Sequence, residues 1–485
     1  MTPQPTAGLT GVLVLVRSNN MKENADEDGG DTYRPKLQKR LLKGHSKQVT
    51  CVAHSSERAS PDDTSPQHHP SLLLSGSEDG TARLWDLRTR KTSICMVIPQ
   101  NGVDSNEITS VSFHPSRNDS DNPGDSQPGG SSSLLPLLRD CTVFLATTNK
   151  VYGYDLRHHS NVDISPIVRE PHFHLTESFQ CTDEVNELSF SYPGKRGSFQ
   201  MAAADDAGEV HVVDRVPMKY ELTPQCEKKA SVLVHAEPET LGIASCVAFR
   251  PRSNGDHLAS AGTDCTVKLW DVSRPKRPTS SVRIKPDAEN STQVCNPPYI
   301  HSLGWSHSGR LLAGAVGDGS IAILGVEGRR LVEMGRLTGD QGGHRSAVAA
   351  VCFPGFGLSR DHKVSSKTRK NGEAEDRLLI SAGNDGVLNW WDLGANMVGS
   401  GPLDPVQYLP LEEKGECETK PRVQLIDDDF GDEDLIPSPP RVLFQIQHGR
   451  KPNWITCNKA ADGALPNSLF VADTSPNISI YTLPI

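Results

Sequence analysis

The sequence predicts an all-β fold, a seven-bladed β-propeller closed by an N-terminal strand and carrying long disordered loop insertions. Three observations lead there. A strand–turn–strand segment ending in Trp-Asp occurs in three ungapped copies, at residues 74–86, 259–271 and 380–392. Four weaker copies fill the intervals between them. Finally, the last copy lacks an outer strand, while a spare strand-like stretch, 36–42, stands ahead of the first.

In the ungapped copies a Ser stands four residues before an Asp, and that Asp six before a Trp: Ser75, Asp79, Trp85; Ser260, Asp264, Trp270; Ser381, Asp385, Trp391. Two have an upstream Gly-His, Gly44-His45 and Gly343-His344, whereas the third has His235 without the glycine. The weaker copies run from 108–113 to 151–155, from 185–190 to 210–214, from 300–305 to 318–324, and from 454–457 to 478–481. Each alternates apolar and polar residues as a half-buried strand does. Repeats therefore end near 86, 155, 214, 271, 325, 392 and 482. These intervals exceed the roughly 40–45 residues of an unembellished four-stranded blade. The excess is polar and rich in Pro, Ser and Gly, at 57–70, 116–140, 359–377 and 394–440, and is expected to be disordered and to emerge on the wider face. Residues 35–485 are read as one propeller and 1–34 as a disordered extension.

The formal net charge of −10 is confined to two segments. Residues 22–31 hold five acids and one base, and 415–434 hold eight acids and two bases, so the remainder is neutral. A duplex-binding surface needs excess Lys and Arg to displace counterions, so no direct nucleic-acid contact is expected. The 11 cysteines include no Cys-x-x-Cys pair, which points to neither a disulfide framework nor a zinc site. No segment approaches the ~20 apolar residues of a membrane span. The apolar run 12–16 is too short for a secretory leader and has no preceding base. An intracellular, monomeric protein with no cofactor, metal or membrane contact is expected, in the cytoplasm, the nucleus or both.

The spaced His, Ser, Asp and Trp resemble the WD40 repeat family, in which these four residues of one repeat form a hydrogen-bonded chain. The resemblance implies three such sets: His45, Ser75, Asp79, Trp85; His235, Ser260, Asp264, Trp270; and His344, Ser381, Asp385, Trp391. Ser, His and Asp together also evoke a hydrolase triad, but a triad occurs once and sits in a cleft, whereas this set recurs. No catalytic residue is assigned. Non-repeat stretches at 245–251, 293–302, 448–455, 469–473 and 478–483 resemble one particular member of that family, whose kind is grouped with substrate receptors of cullin-4 ubiquitin ligases. Such receptors dock on a damaged-DNA-binding adaptor through a box ending Trp-Asp-x-Arg. Residues 73–88 match it through Trp85, Asp86 and Arg88, and a degenerate copy ends Tyr154, Asp155, Arg157. After Trp270-Asp271 the arginine's place is taken by Ser273, and after Trp391-Asp392 by Gly394.

The resemblance therefore implies a protein-interaction platform that binds this adaptor and an unidentified substrate. A general scaffold without a ligase role and a reader of histone tails or chromatin remain as alternatives. Residues 423–429, Val-Gln-Leu-Ile-Asp-Asp-Asp, fit a short SUMO-interacting motif as well as an ordinary solvated acidic loop.

Overall fold

Strict alternation of side chains along a strand gives each sheet two faces, and in this chain both are apolar. The structure, a computed structural model, describes residues 37–55, 72–87, 93–98, 107–114, 142–156, 167–168, 173–174, 181–191, 200–214, 231–235, 242–253, 255–286, 297–354, 376–394, 423–424, 439–458 and 467–482. Their strands form seven sheets, the blades of a propeller. Blade one comprises Val49–His54, Leu72–Ser77, Thr81–Asp86 and Ser93–Val97, from the innermost strand outward. Blade two comprises Ser110–Phe113, Thr142–Thr147, Lys150–Asp155 and the short Phe173–His174. Blade three begins at Val185–Phe190, blade four at Ala244–Phe249, blade five at Ile300–Trp305 and blade six at Val348–Cys352.

Blade seven takes three strands from the C-terminal end, Pro452–Asn458, Ser468–Asp473 and Asn477–Thr482. Its fourth is Gln38–Lys43, paired antiparallel with Asn477–Thr482 so that Gln38 faces Thr482 and Lys43 faces Asn477. The expected N-terminal closure is therefore present, and it covers an edge that would otherwise be left open.

The core is divided among the blade interfaces. Seven apolar clusters occur among the described residues, one at each junction between neighbouring blades. The second strand of blade one shows how they arise. Leu72 and Leu74 point toward blade two, while Leu73, on the opposite face, packs with Val49, Trp85, Phe470 and Ile478 at the junction with blade seven. All three leucines are fully buried. A middle strand sandwiched between two neighbours must be apolar on both sides, which is why 72–74 and 378–380 read as continuous runs.

The hairpin between second and third strands has one demanding position. Gly80, Gly208, Gly319 and Gly386 occupy it with φ between 75° and 93°. In blade four the residue there is Cys265, held at φ 61°, where an L-residue brings its Cβ against the following carbonyl.

Two added edge strands were not expected. Ile167–Val168 runs parallel to blade one's outer strand at Cys95 and Met96, and Val423–Gln424 pairs antiparallel with Ile446 and Gln445 of blade six's outer strand, Arg441–Gln447. The strand-forming start of the 423–429 motif thus already adds to the protein's own sheet. Its remainder, like 1–34, 57–70 and 116–140, lies outside the described residues. The insertion expected at 359–377 ends earlier than its last residues, because Asp376 and Arg377 are buried in blade six. No helix among the described residues is long and apolar enough to cross a membrane.

Candidate functional site

Three groups of side chains occupy the positions singled out in the sequence. In blade one the His45 ring lies with Nε2 2.8 Å from Ser75 Oγ and Nδ1 3.1 Å from Asp79 Oδ2, and Trp85 Nε1 donates to the same Ser75 Oγ at 3.0 Å. Blade six repeats it. His344 Nε2 is 2.7 Å from Ser381 Oγ, Nδ1 is 3.1 Å from Asp385 Oδ1, and Trp391 Nε1 donates to Ser381 Oγ at 2.9 Å. Blade four forms the same chain with the ring turned over. There Nδ1 of His235 meets Ser260 Oγ at 2.7 Å, Nε2 meets Asp264 Oδ1 at 3.1 Å, and Trp270 Nε1 donates to Ser260 Oγ at 2.8 Å. His45 and His344 stand four residues before their blade's first strand, but His235 stands nine before Ala244. A different approach of the chain accompanies the turned ring.

Elementary donor and acceptor rules order the protons. Indole is a donor only and carboxylate an acceptor only. In blade one, burial lowers the pKa of His45 against the raising influence of Asp79, which favours a neutral ring. Nδ1–H then donates to Asp79, and the Ser75 hydroxyl accepts from Trp85 while donating to Nε2. Burial alone would raise the Asp79 carboxyl, but hydrogen bonds from His45, Thr81 and the Ser46 N–H bring it well below the ordinary carboxylate range. Asp264 and Asp385 are lowered through the same competition between burial and hydrogen bonding to histidine. The glycine before two of the histidines has a steric reason: a Cβ on Gly44 would lie 2.8 Å from the Trp85 ring, and one on Gly343 2.9 Å from Trp391.

These chains are structural in geometry. Each serine is fully buried, as is each histidine or nearly so, and each hydroxyl is already bonded to two side chains. A nucleophile needs access to a substrate carbonyl, which these lack.

A fourth relay escaped the sequence reading. In blade seven His448 Nδ1 lies 2.7 Å from Tyr481 Oη and Nε2 2.8 Å from Asp473 Oδ2. Tyr481 holds the place of the tryptophan, and the aspartate has moved from the turn to the end of the second strand. The available signal was His448 itself, four residues before its blade's first strand, as His45 and His344 are.

The two segments singled out for the Trp-Asp-x-Arg pattern are described in part. Trp85, Asp86 and Tyr154 are buried, at 8%, 4% and 0% exposure, and belong to the blade interior. The Tyr154 hydroxyl donates to the Val97 carbonyl at 3.3 Å, tying blade two to the outer strand of blade one. Asp155 ends its strand opposite Thr142. Arg88 and Arg157 lie outside the described residues. Blade six clarifies the aspartate of the Trp-Asp pair: Asp392 is buried against Arg377, whose Nη2 donates to Oδ2 at 3.0 Å, and it also accepts from the Gly394 N–H at 2.9 Å. This aspartate closes the strand end from within.

The comparisons with known proteins agree with this geometry. The family described as WD domain, G-beta repeat matches residues 36–86 and 235–271. The chain is also 22% identical over 459 residues to the WD repeat-containing protein 53 homolog of Dictyostelium discoideum, covering 91% of this chain and 93% of that protein. The resemblance to the WD40 repeat family read from the sequence is matched by that family model over those two segments, and the likeness to the particular member by this relative.

Proposed function

We propose that this WD40-repeat propeller, a fold of the protein-interaction scaffold type, serves as a substrate receptor of a cullin-4 ubiquitin ligase. One observation carries the reading. The two strands that end in the complete and the partial docking box, Thr81–Asp86 and Lys150–Asp155, are the third strands of adjacent blades, so both end on the same face. The Trp-Asp-x-Arg spacing sets Arg88 and Arg157 two residues beyond those ends. Trp85, Asp86 and Tyr154 are buried, and the arginines would meet an adaptor through planar guanidinium groups suited to carboxylates and carbonyls. The role requires intracellular residence, and the bound substrate would be chosen by loops elsewhere on the ring. It calls for no catalytic group in the chain.

The test is affinity purification from cells followed by mass spectrometry, comparing the native chain with the Arg88→Ala/Arg157→Ala double variant. Recovery of the cullin-4 adaptor with the native protein, and its loss from the folded variant, is the expected result. An adaptor that never appears, or that binds both equally, would leave a scaffold with other partners.

A further inference from the structure

Blade three lacks the relay of blades one, four and six and holds a different buried group in its place. Cys181 stands four residues before that blade's first strand, where histidine stands in blades one and six. The serine, turn aspartate and tryptophan positions are Ala203, Ala207 and Val213. In their stead the second strand ends at Asp205, and Glu209 and His211 open the third, with the Cys181, Asp205 and His211 side chains all buried.

We propose that Cys181, Asp205, His211 and Glu209 form a structural zinc site that fastens blade three at its entry. The sulfur, imidazole and carboxylate donor atoms of Cys181, His211 and Asp205 lie within 4.8 Å of one another. His211 Nε2 is 2.9 Å from Asp205 Oδ2 and 3.4 Å from Glu209 Oε2. Tetrahedral zinc, with bonds of ~2.0–2.3 Å, holds its donors about 3.3–3.6 Å apart, so small side-chain movements seat the ion. The supporting hydrogen bonds resemble an outer shell. Thr182 N–H donates to Asp205 Oδ2 at 3.1 Å, Glu209 N–H to Asp205 Oδ1 at 2.9 Å, and the Thr182 hydroxyl to Glu209 Oε2 at 2.6 Å. Such bonds fix a ligating carboxylate's orientation.

Charge points the same way. Among the described residues the ion pairs of Asp205 and Glu209 are both with His211, so one imidazole faces two carboxylates and a thiol. A divalent cation balances that set. Thiolate and imidazole donors select zinc over calcium or magnesium, which prefer all-oxygen shells. On binding, the S–H bond of Cys181 breaks, the sulfur keeps the electron pair for the metal, and the proton passes to solvent. The alternative is a self-sufficient His211–Asp205 pair, with Cys181 as buried filler.

Cobalt(II), which substitutes for zinc and is coloured, distinguishes the two. The full chain is stripped with chelator and titrated with cobalt, alone and as Cys181→Ser and His211→Ala. The expected result is a thiolate-to-cobalt charge-transfer band in the native chain, abolished by added zinc and absent from Cys181→Ser, with binding at least about tenfold weaker in His211→Ala. Zinc should raise the melting temperature of the native chain and leave that of Cys181→Ser unchanged. A native chain without the band, or a band unchanged in Cys181→Ser, overturns the proposal. Should His211→Ala fail to fold, the native and Cys181→Ser spectra decide by themselves.

Discussion

Ser381→Ala in blade six removes a single oxygen that joins two otherwise buried groups. Trp391 Nε1 donates to it at 2.9 Å and His344 Nε2 lies 2.7 Å away, with the serine and the indole fully buried. Alanine keeps the backbone and leaves the indole N–H without its acceptor and the imidazole nitrogen without its partner. Each stranded group costs about 1–3 kcal/mol, so a loss of about 2–6 kcal/mol is expected, whereas a surface substitution stays within about 0.5 kcal/mol. Urea unfolding followed by tryptophan fluorescence measures it. The cycle completed with Trp391→Phe and the double variant isolates the pair, because phenylalanine has no N–H to strand. The double variant should be less destabilised than the sum of the single ones. A Ser381→Ala chain within about 0.5 kcal/mol of native, or strict additivity in the cycle, would refute the claim that the relay holds the blade.

Three further outcomes are expected. Cys265→Gly relieves a left-handed residue at φ 61° and should stabilise the chain by about 1 kcal/mol in the same urea assay. Arg377→Met leaves Asp392 buried without its guanidinium and should cost about 3–5 kcal/mol, seen as a lower melting midpoint. Burial pushes the His54 ring down to about 3, against about 6.5 unfolded, so the unfolded chain binds a proton that the native state refuses. That stability is complete above the unfolded value and is lost as pH falls from about 6.5 toward about 3. His54→Phe, which keeps the stack on Phe470, should lessen the fall of urea midpoints between about pH 7 and about pH 5, leaving the share of His45, His257 and His301, whose rings burial also lowers.

Much of the fold was legible because a blade is local. Ser75, Asp79 and Trp85 lie within one hairpin, and the register that pairs Leu73 with Trp85 fixes their spacing to the residue. The seven third strands and the closing strand followed from that periodicity. What sequence reading missed joins residues whose separation no hairpin fixes. His448 meets Asp473 and Tyr481, 25 and 33 residues further along the chain, and Arg377 sits against Asp392 at the end of a segment that read as loop. Cys181 meets His211 with no metal-like spacing between them, so only the closed blade brings the thiol to the imidazole.

The sequence alone determined the repeat, the blade count and the neutral balance outside two acidic segments, and its resemblance to a family implied the three relays. Tertiary structure decided which side chains face outward and which are enclosed. Trp85 and Asp86 belong to a docking box by motif, and the structure buries both side chains, the indole at the junction with blade seven. The difference is physical. Spacing along a strand is set by the backbone and can be counted, whereas burial depends on what the neighbouring blade places against each face, and that neighbour is known only once the ring has closed.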